Sequence, residues 1–313
     1  MSRLNADIAL LFAAVVWGVA FLFQKSAMDH VGPLAFIASR GALAAVALAP
    51  LAWREHRRAA AGPGNPGIGP GFWPGFWAIA TWGGVAFFVA AWLQQEGIRT
   101  ATVTNTGFLT ALYVVLTPFV AWAWSGKLPN AAVWPAVGLS TLGTWLLGGG
   151  GTLSALGYGD WLVALCALFW AIHVVITGRA APFGRPIAFT AVQFAVVAVL
   201  AAAGSAFLEI TTLTGLAGAT PDILFVGLLS SALTFTILTV ALQHTPPSEA
   251  AVIVSMETVF AAFAACLVLG ERLSPIGWLG AVLILGATLI LQVGPALGVR
   301  LGRARPAEGR RVQ

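Results

Sequence analysis

Between Ala250 and Leu269 only Ser255, Glu257 and Thr258 interrupt side chains that avoid water, and runs of this kind recur along almost the whole chain. A helix needs about 20 such residues to cross a hydrocarbon layer of ~30 Å, and within that layer every backbone N–H and C=O has to be satisfied by the chain itself. Of 313 residues, 59% are hydrophobic and 9% charged, with a mean hydropathy of +0.89; a soluble domain carries about a quarter charged residues. The sequence therefore predicts an all-α polytopic membrane protein.

Polar, Gly and Pro punctuation divides the chain into ten predicted spans: 7–24, 33–53, 74–95, 100–124, 131–147, 160–179, 186–208, 221–243, 248–269 and 275–293. The first run, Ile8 to Phe23, follows Arg3 as a signal peptide would, but no small-residue cleavage site follows it, so it is expected to stay as the first span. With the N-terminus inside, twelve cations fall in inner loops and tails: Arg3, Arg54, Arg57, Arg58, Lys127, Arg179, Arg185, Arg300, Arg303, Arg305, Arg310 and Arg311. Only Lys25, Arg99 and Arg272 fall in outer loops, and Arg40 lies within the second span. That imbalance predicts both termini on the cytoplasmic side. The basic residues have no interleaved aromatic platform, so nucleic acid is not an expected partner. The Gly- and Pro-rich stretch 54–75 is expected to be an irregular loop, and 296–313 a basic cytoplasmic tail lying against anionic lipid. Cys166 and Cys266, each inside an apolar run, are expected to act as small buried hydrophobes.

Shifted by 144, residues 109–127 align without a gap on 253–271, bringing Phe119 onto Phe263, Ala121 onto Ala265 and Gly126 onto Gly270. The register continues through Trp134 on Trp278, Thr144 on Thr288 and Leu147 on Leu291, while a shift of 153 lays Asp7 and Trp17 on Asp160 and Trp170. Two halves of five spans follow, at 1–150 and 151–295. Because five is odd, the second half would enter the membrane in the opposite sense, giving ten transmembrane helices as two inverted five-helix repeats, an architecture associated with alternating access.

The stretches LQQEGIRTATVTNTGFLTALYVVLTP (93–118) and GERLSPIGWLGAVLILGATLIL (270–291) resemble the paired repeats of the EamA family in the drug/metabolite transporter superfamily. The likeness runs from about residue 7 to 293 and extends to YddG-type amino-acid exporters. It implies a basket of ten helices around a central cavity, a multi-pass protein of the bacterial inner membrane, and export of small metabolites, best of all amino acids. Val114 and Thr258 stand where the family often has proline, so the resemblance does not carry a proline-dependent kink into the fourth and ninth spans. Lys127 replaces a frequent Glu.

Glu257 is the sharpest of the candidate residues: a carboxylate at mid-bilayer costs several kcal/mol, so it has to face protein or water. Two readings are open, a cavity group that carries a proton or meets a substrate ammonium, and a neutral acid bonded between helices. Thr102, Thr106, Thr110, Tyr113 and Thr117 form one stripe down the fourth span, suited either to a wet cavity or to helix–helix hydrogen bonding. Trp17 and Gln24 share a face of the first span, and Cys166, Trp170, His173 and Thr177 share one on the sixth. Aromatic walls suit apolar or cationic groups, although packing is the commoner role of Trp and a structural bridge that of a lone His. Arg40, a third of the way into its span, suits a substrate carboxylate, a loop acid or a lipid headgroup. The expected cavity set is thus Trp17, Gln24, Arg40, Thr106, Thr110, Tyr113, Trp170, His173 and Glu257.

No G-x-x-x-x-G-K-[ST] loop for ATP, and no G-x-S-x-G or H-E-x-x-H motif, accompanies these residues. The chain is expected to be no enzyme, to need no cofactor or metal, and to act as a monomer or weak oligomer on a small-molecule substrate within the lipid bilayer, with proton coupling through Glu257 as an open expectation. A polar-lined channel, or a carrier of drugs, nucleosides or sugars, is the alternative.

Overall fold

The computed structural model describes residues 1–61, 72–129, 131, 133–147, 156–270, 272 and 274–293. The predicted tail at 296–313 and the centre of the predicted loop at 54–75 lie outside the described residues. Among the described residues the protein is entirely helical: α1 (Arg3–Ala27), α2 (Pro33–Ala61), α3 (Phe72–Ile98), α4 (Val103–Thr110), α5 (Tyr113–Ser125), α6 (Val133–Leu147), α7 (Tyr158–Ala180), α8 (Pro186–Leu208), α9 (Leu213–Gly218), α10 (Thr220–Leu224), α11 (Thr234–Ala241), α12 (Pro247–Val254), α13 (Glu257–Val268) and α14 (Pro275–Val293). A π-helical stretch, Phe225–Leu233, joins α10 to α11.

Helix ends follow local chemistry. Proline opens α2, α8, α12 and α14, where its missing N–H costs no helical bond. The hydroxyls of Ser2 and Thr102 accept from the third residue onward, Asn5 and Asn105, and cap α1 and α4. Gly126 ends α5 with φ at 67°, and Gly270, its counterpart at an offset of 144, has φ at 69°. Arg54 to Ala61, expected in an irregular loop, instead prolong α2.

Among the described residues, eight helical segments are long and apolar enough to cross a membrane, and Pro275–Ile290 is a shorter apolar helix. Three of the eight are interrupted where the sequence predicted unbroken runs. In the fourth and ninth runs the break is the same structure twice. Amides of Leu112, Val114 and Val115 bond three residues back, to Leu109, Ala111 and Leu112, while Ala111 and Leu116 bond four back. Every one of these bonds recurs 144 residues later, at Met256, Thr258, Val259, Ser255 and Phe260. Proline is not the common cause, since Pro118 in α5 is matched by Ala262 in α13. A hydroxyl is not either, because Ser255 and Thr258 bond turn carbonyls where Ala111 and Val114 cannot. The shared feature is position: each tight turn directly precedes the predicted pair, Tyr113 and Glu257.

The strongest packing joins α2 to α8, α3 to α7 and α6 to α14. The α2–α8 pair is clasped at both ends. Glu209, just after α8, accepts from the amides of Leu34 and Ala35 at 2.8 Å each, while Glu55 of α2 accepts from Ile187 and Ala188 at 3.2 and 2.8 Å. A carboxylate at the positive end of a helix satisfies orphan donors and complements the dipole.

In a membrane, helix pairs are held by close approach more than by the hydrophobic effect. At Gly18 of α1 a Cβ would sit 2.6 Å from the Phe260 Cβ and 2.7 Å from the Glu257 carbonyl oxygen of α13, both closer than real contacts. Gly18 therefore sets how near Glu257 lies to α1. Gly18→Val is expected to lose about 1–3 kcal/mol of stability through overpacking, read as a lower thermal midpoint in detergent. A midpoint equal to the parent's would show that this contact gives way freely.

Candidate functional site

The turns before Tyr113 and Glu257 aim these residues into one cavity lined from α1, α2, α3, α4, α5, α7, the π stretch, α11, α12 and α13. Its walls include Trp17, Gln24, Arg40, Thr110, Tyr113, Trp170, His173 and Glu257, eight of the nine residues expected from sequence. Thr106 is fully buried elsewhere, its hydroxyl bonded to the Thr102 carbonyl at 2.8 Å, the local bond that a helical Thr makes readily. Thr117 behaves likewise, donating to Tyr113 O at 2.6 Å, so the predicted stripe divides into backbone-bonded members and two cavity members, Thr110 and Tyr113. The cavity volume is about 60 Å³, room for about four waters.

One wall is aromatic. Phe87 meets Trp170, His173, Phe194 and Phe235 edge-on with centroids 4.8–5.4 Å apart. Phe235 stacks with Trp170 at 5.9 Å and tilts against Trp17 at 4.8 Å. The Trp17 indole N–H donates to the Ser230 carbonyl at 2.9 Å, and the same oxygen accepts from the Thr234 hydroxyl at 2.6 Å. A π-helix shifts the backbone ladder by one residue, and here it presents a carbonyl to an arriving side chain.

The polar groups are placed around that wall. Arg40 is 4% exposed and has no ion pair among the described residues; its guanidinium stands over the faces of Phe36 and Phe87, 5.6 and 6.0 Å from their centroids. Ring faces offset part of the cost of burying that cation. Glu257, 5% exposed, also lacks an ion pair among the described residues. Its carboxylate lies beside the Tyr113 hydroxyl, whose oxygen meets no partner at hydrogen-bond geometry.

His173 bonds Gln193 Oε1 through Nε2 at 2.9 Å, and its Nδ1 has no protein partner. With Gln193 oxygen accepting, Nε2 carries the proton and Nδ1 is an acceptor, so the structural-bridge and cavity roles of this histidine coexist. Gln94, Phe87, Ser230 and Phe235 are wall residues that the sequence reading passed over. Gln94 had a legible signal, an amide near the end of an apolar run, and its Nε2 donates to Thr110 at 2.8 Å. Phe87 and Phe235 had none, since a phenylalanine in an apolar run looks the same on the lipid and the cavity side.

Of the two cysteines, Cys166 is buried as expected and Cys266 is partly exposed; both are free. No group of three or more His, Cys, Asp or Glu suited to a metal occurs among the described residues.

The profile of the EamA-like transporter family matches the chain twice, over residues 4–149 and 157–293. An uncharacterized transporter of Archaeoglobus fulgidus is 30% identical over 298 residues, spanning 94% of this chain and 87% of that protein. The uncharacterized transporter YwfM of Bacillus subtilis is 25% identical over 295 residues, spanning 91% and 93%. A solved chain described only as a crystal structure of a protein superposes with a TM-score of 0.73 at 16% identity, covering 96% of this chain and all of that one, which speaks to the fold. The chain belongs to the EamA-like transporter family, as a multi-pass membrane transporter.

Proposed function

We propose that this transporter is a secondary carrier that exports small zwitterions, amino acids above all, by alternating access to the central cavity. One observation carries the reading: a buried guanidinium and a buried carboxylate, neither of them ion-paired within the described protein, line the same aromatic-walled space. A charge held out of water without a partner is costly. An amino acid supplies the complement of both, with its carboxylate bidentate on Arg40 and its ammonium on Glu257. The aromatic wall then receives the side chain, and the small cavity volume means that the wall rearranges to admit a bulky one.

The carrier is read as ten spans in two halves, 1–150 and 151–295, of opposite orientation, with both termini cytoplasmic and 296–313 as a basic tail. Contacts at helix ends support this alternation. Arg3 at the start of α1 meets Glu249 at the start of α12, Asn105 near the start of α4 meets Asp160 near the start of α7, and Glu209 after α8 meets the start of α2. In each pair the two ends fall on the same face if the spans alternate. The double family match and the twice-occurring helix break support two related halves. Export, rather than uptake, rests on the resemblance to exporters.

Counterflow of a labelled amino-acid panel in proteoliposomes tests the reading. Arg40→Ala and Glu257→Gln are each expected to lower transport at limiting substrate about tenfold or more, the scale of a lost charge-assisted bond. Transport that survives in both variants sinks the zwitterion site, and flux that neither saturates nor shows counterflow makes the protein a channel. Under opposed pH gradients, a response present in the wild type and absent from Glu257→Gln assigns proton coupling to that carboxylate, whereas indifference to the gradient leaves a facilitative carrier.

For the topology, single cysteines beside Arg58 and at Glu209 are expected to react with an impermeant thiol reagent from opposite faces of right-side-out vesicles. Labelling of both from one face contradicts the alternation.

A further inference from the structure

At the end of the bundle where α1 begins, Arg3 donates from Nη2 to Glu249 Oε2 of α12, while its Nε lies 3.8 Å from Asp7 Oδ2, one turn along α1. Thr245, just before α12, donates to the other Asp7 oxygen at 2.7 Å. The two carboxylates are almost wholly buried, with side chains 4% and 8% exposed, and Arg3 reaches over them from water at 40%. Asp7 stands ten residues before Trp17 and Glu249 eight before Glu257, roughly 15 and 12 Å along their helices. The cluster therefore lies one layer beyond the cavity floor, where Ala250 and Ala251 line the space from the turn that carries Glu249.

The other end of the bundle has the same contact with different chemistry. The offset of 153 takes Asp7 to Asp160, and the offset of 144 takes Glu249 back to Asn105. Here Asn105 Nδ2 donates to Asp160 Oδ1 at 3.3 Å, and the second Asp160 oxygen accepts from the Gly157 amide at 2.9 Å within its own helix cap. A neutral amide thus does between α4 and α7 what an arginine bridging two acids does between α1 and α12. Both contacts end on a carboxylate, but at Arg3 donor and acceptor are both charged and one guanidinium reaches two acids, whereas Asn105 offers a single uncharged donor at 3.3 Å. Removing one partner from a buried pair leaves an uncompensated charge.

We propose that Arg3, Asp7 and Glu249 form a latch that holds this end of the cavity shut, and that Asn105 with Asp160 is the weaker fastening that opens more readily. The inference rests on the carrier reading and adds to it a resting preference: closed on the face that carries Arg3.

Accessibility tests the latch without any substrate. In the full-length protein with Cys166→Ala and Cys266→Ala, the cavity residue Ser230→Cys reports entry of an impermeant methanethiosulfonate reagent from either face of oriented vesicles. Arg3→Gln and Glu249→Gln are each expected to raise the labelling rate fivefold or more from the Arg3 face and to raise it not at all from the opposite face, where a shift of population lowers it. The exchange Arg3→Glu with Glu249→Arg is expected to bring the rate back toward the parent. Equal labelling in the parent and both glutamine variants overturns the latch, as does a raised rate that the exchange fails to lower. Because labelling needs no transport, a failed latch leaves the counterflow result standing, and a failed counterflow leaves the labelling result standing.

Discussion

Hydrocarbon offers no hydrogen bonds, and that single constraint shapes the chain at every scale. Each span has to be a helix because only a helix closes its own backbone bonds. Where a helix breaks, the break has to stay bonded: the turns at 111–112 and 255–256 tighten into bonds three residues back instead of opening. The π stretch obeys the same rule in the opposite direction, widening the ladder so that the Ser230 carbonyl takes Thr234 and Trp17 together. Irregular backbone at membrane depth is tolerated where it is buried in protein or lines a cavity, and the two tight turns and the π stretch adjoin this one.

How much of this was legible in the sequence differs by kind of information. Helical character and the positions of the apolar segments follow from run length, which is a strong signal. The cavity set was largely legible for a related reason: a polar or ionisable group within an apolar run has to avoid lipid, so Arg40, His173 and Glu257 identify themselves. Thr106 did not obey that logic, because a hydroxyl can bond its own helix and needs no cavity. Phe87 and Phe235 were invisible because their chemistry suits either surroundings. The breaks in the fourth and ninth runs were illegible too, since the residue pattern at Ala111–Leu112 shares no turn-forming side chain with Ser255–Met256. Only the offset of 144 connected the two, and sequence showed the alignment without its geometry.

The two ends of the bundle differ in the chemistry of their contacts. Asn105 bonds Asp160 directly, whereas at the corresponding positions Glu249 and Asp7 are both acids and Arg3 reaches the two of them. The clasps on α2 and α8 stay closely matched, with a carboxylate on two successive amides in each. Matched clasps stabilise both ends of this pair by similar amounts, which suits a pair that moves as one body. Unmatched contacts between α1 and α12 and between α4 and α7 make the two ends inequivalent.

The distribution of unsatisfied polar atoms gives the same division a free-energy meaning. Eight buried side-chain atoms among the described residues lack a hydrogen-bond partner within the protein, and five of them, on Gln24, Arg40, Tyr113, Trp170 and His173, belong to cavity residues. Each such atom costs about 1–3 kcal/mol when nothing bonds it. Most of that cost thus falls on one place, the cavity wall, with Gln95, Gln193 and Ser231 outside it. Whatever enters the cavity and bonds these atoms recovers part of it, so the walls favour an occupant with both donors and acceptors over an apolar one. That is the physical ground for the proposed zwitterion: its charged end would answer the polar groups, and an apolar side chain would lie against the ring faces that stand beside them.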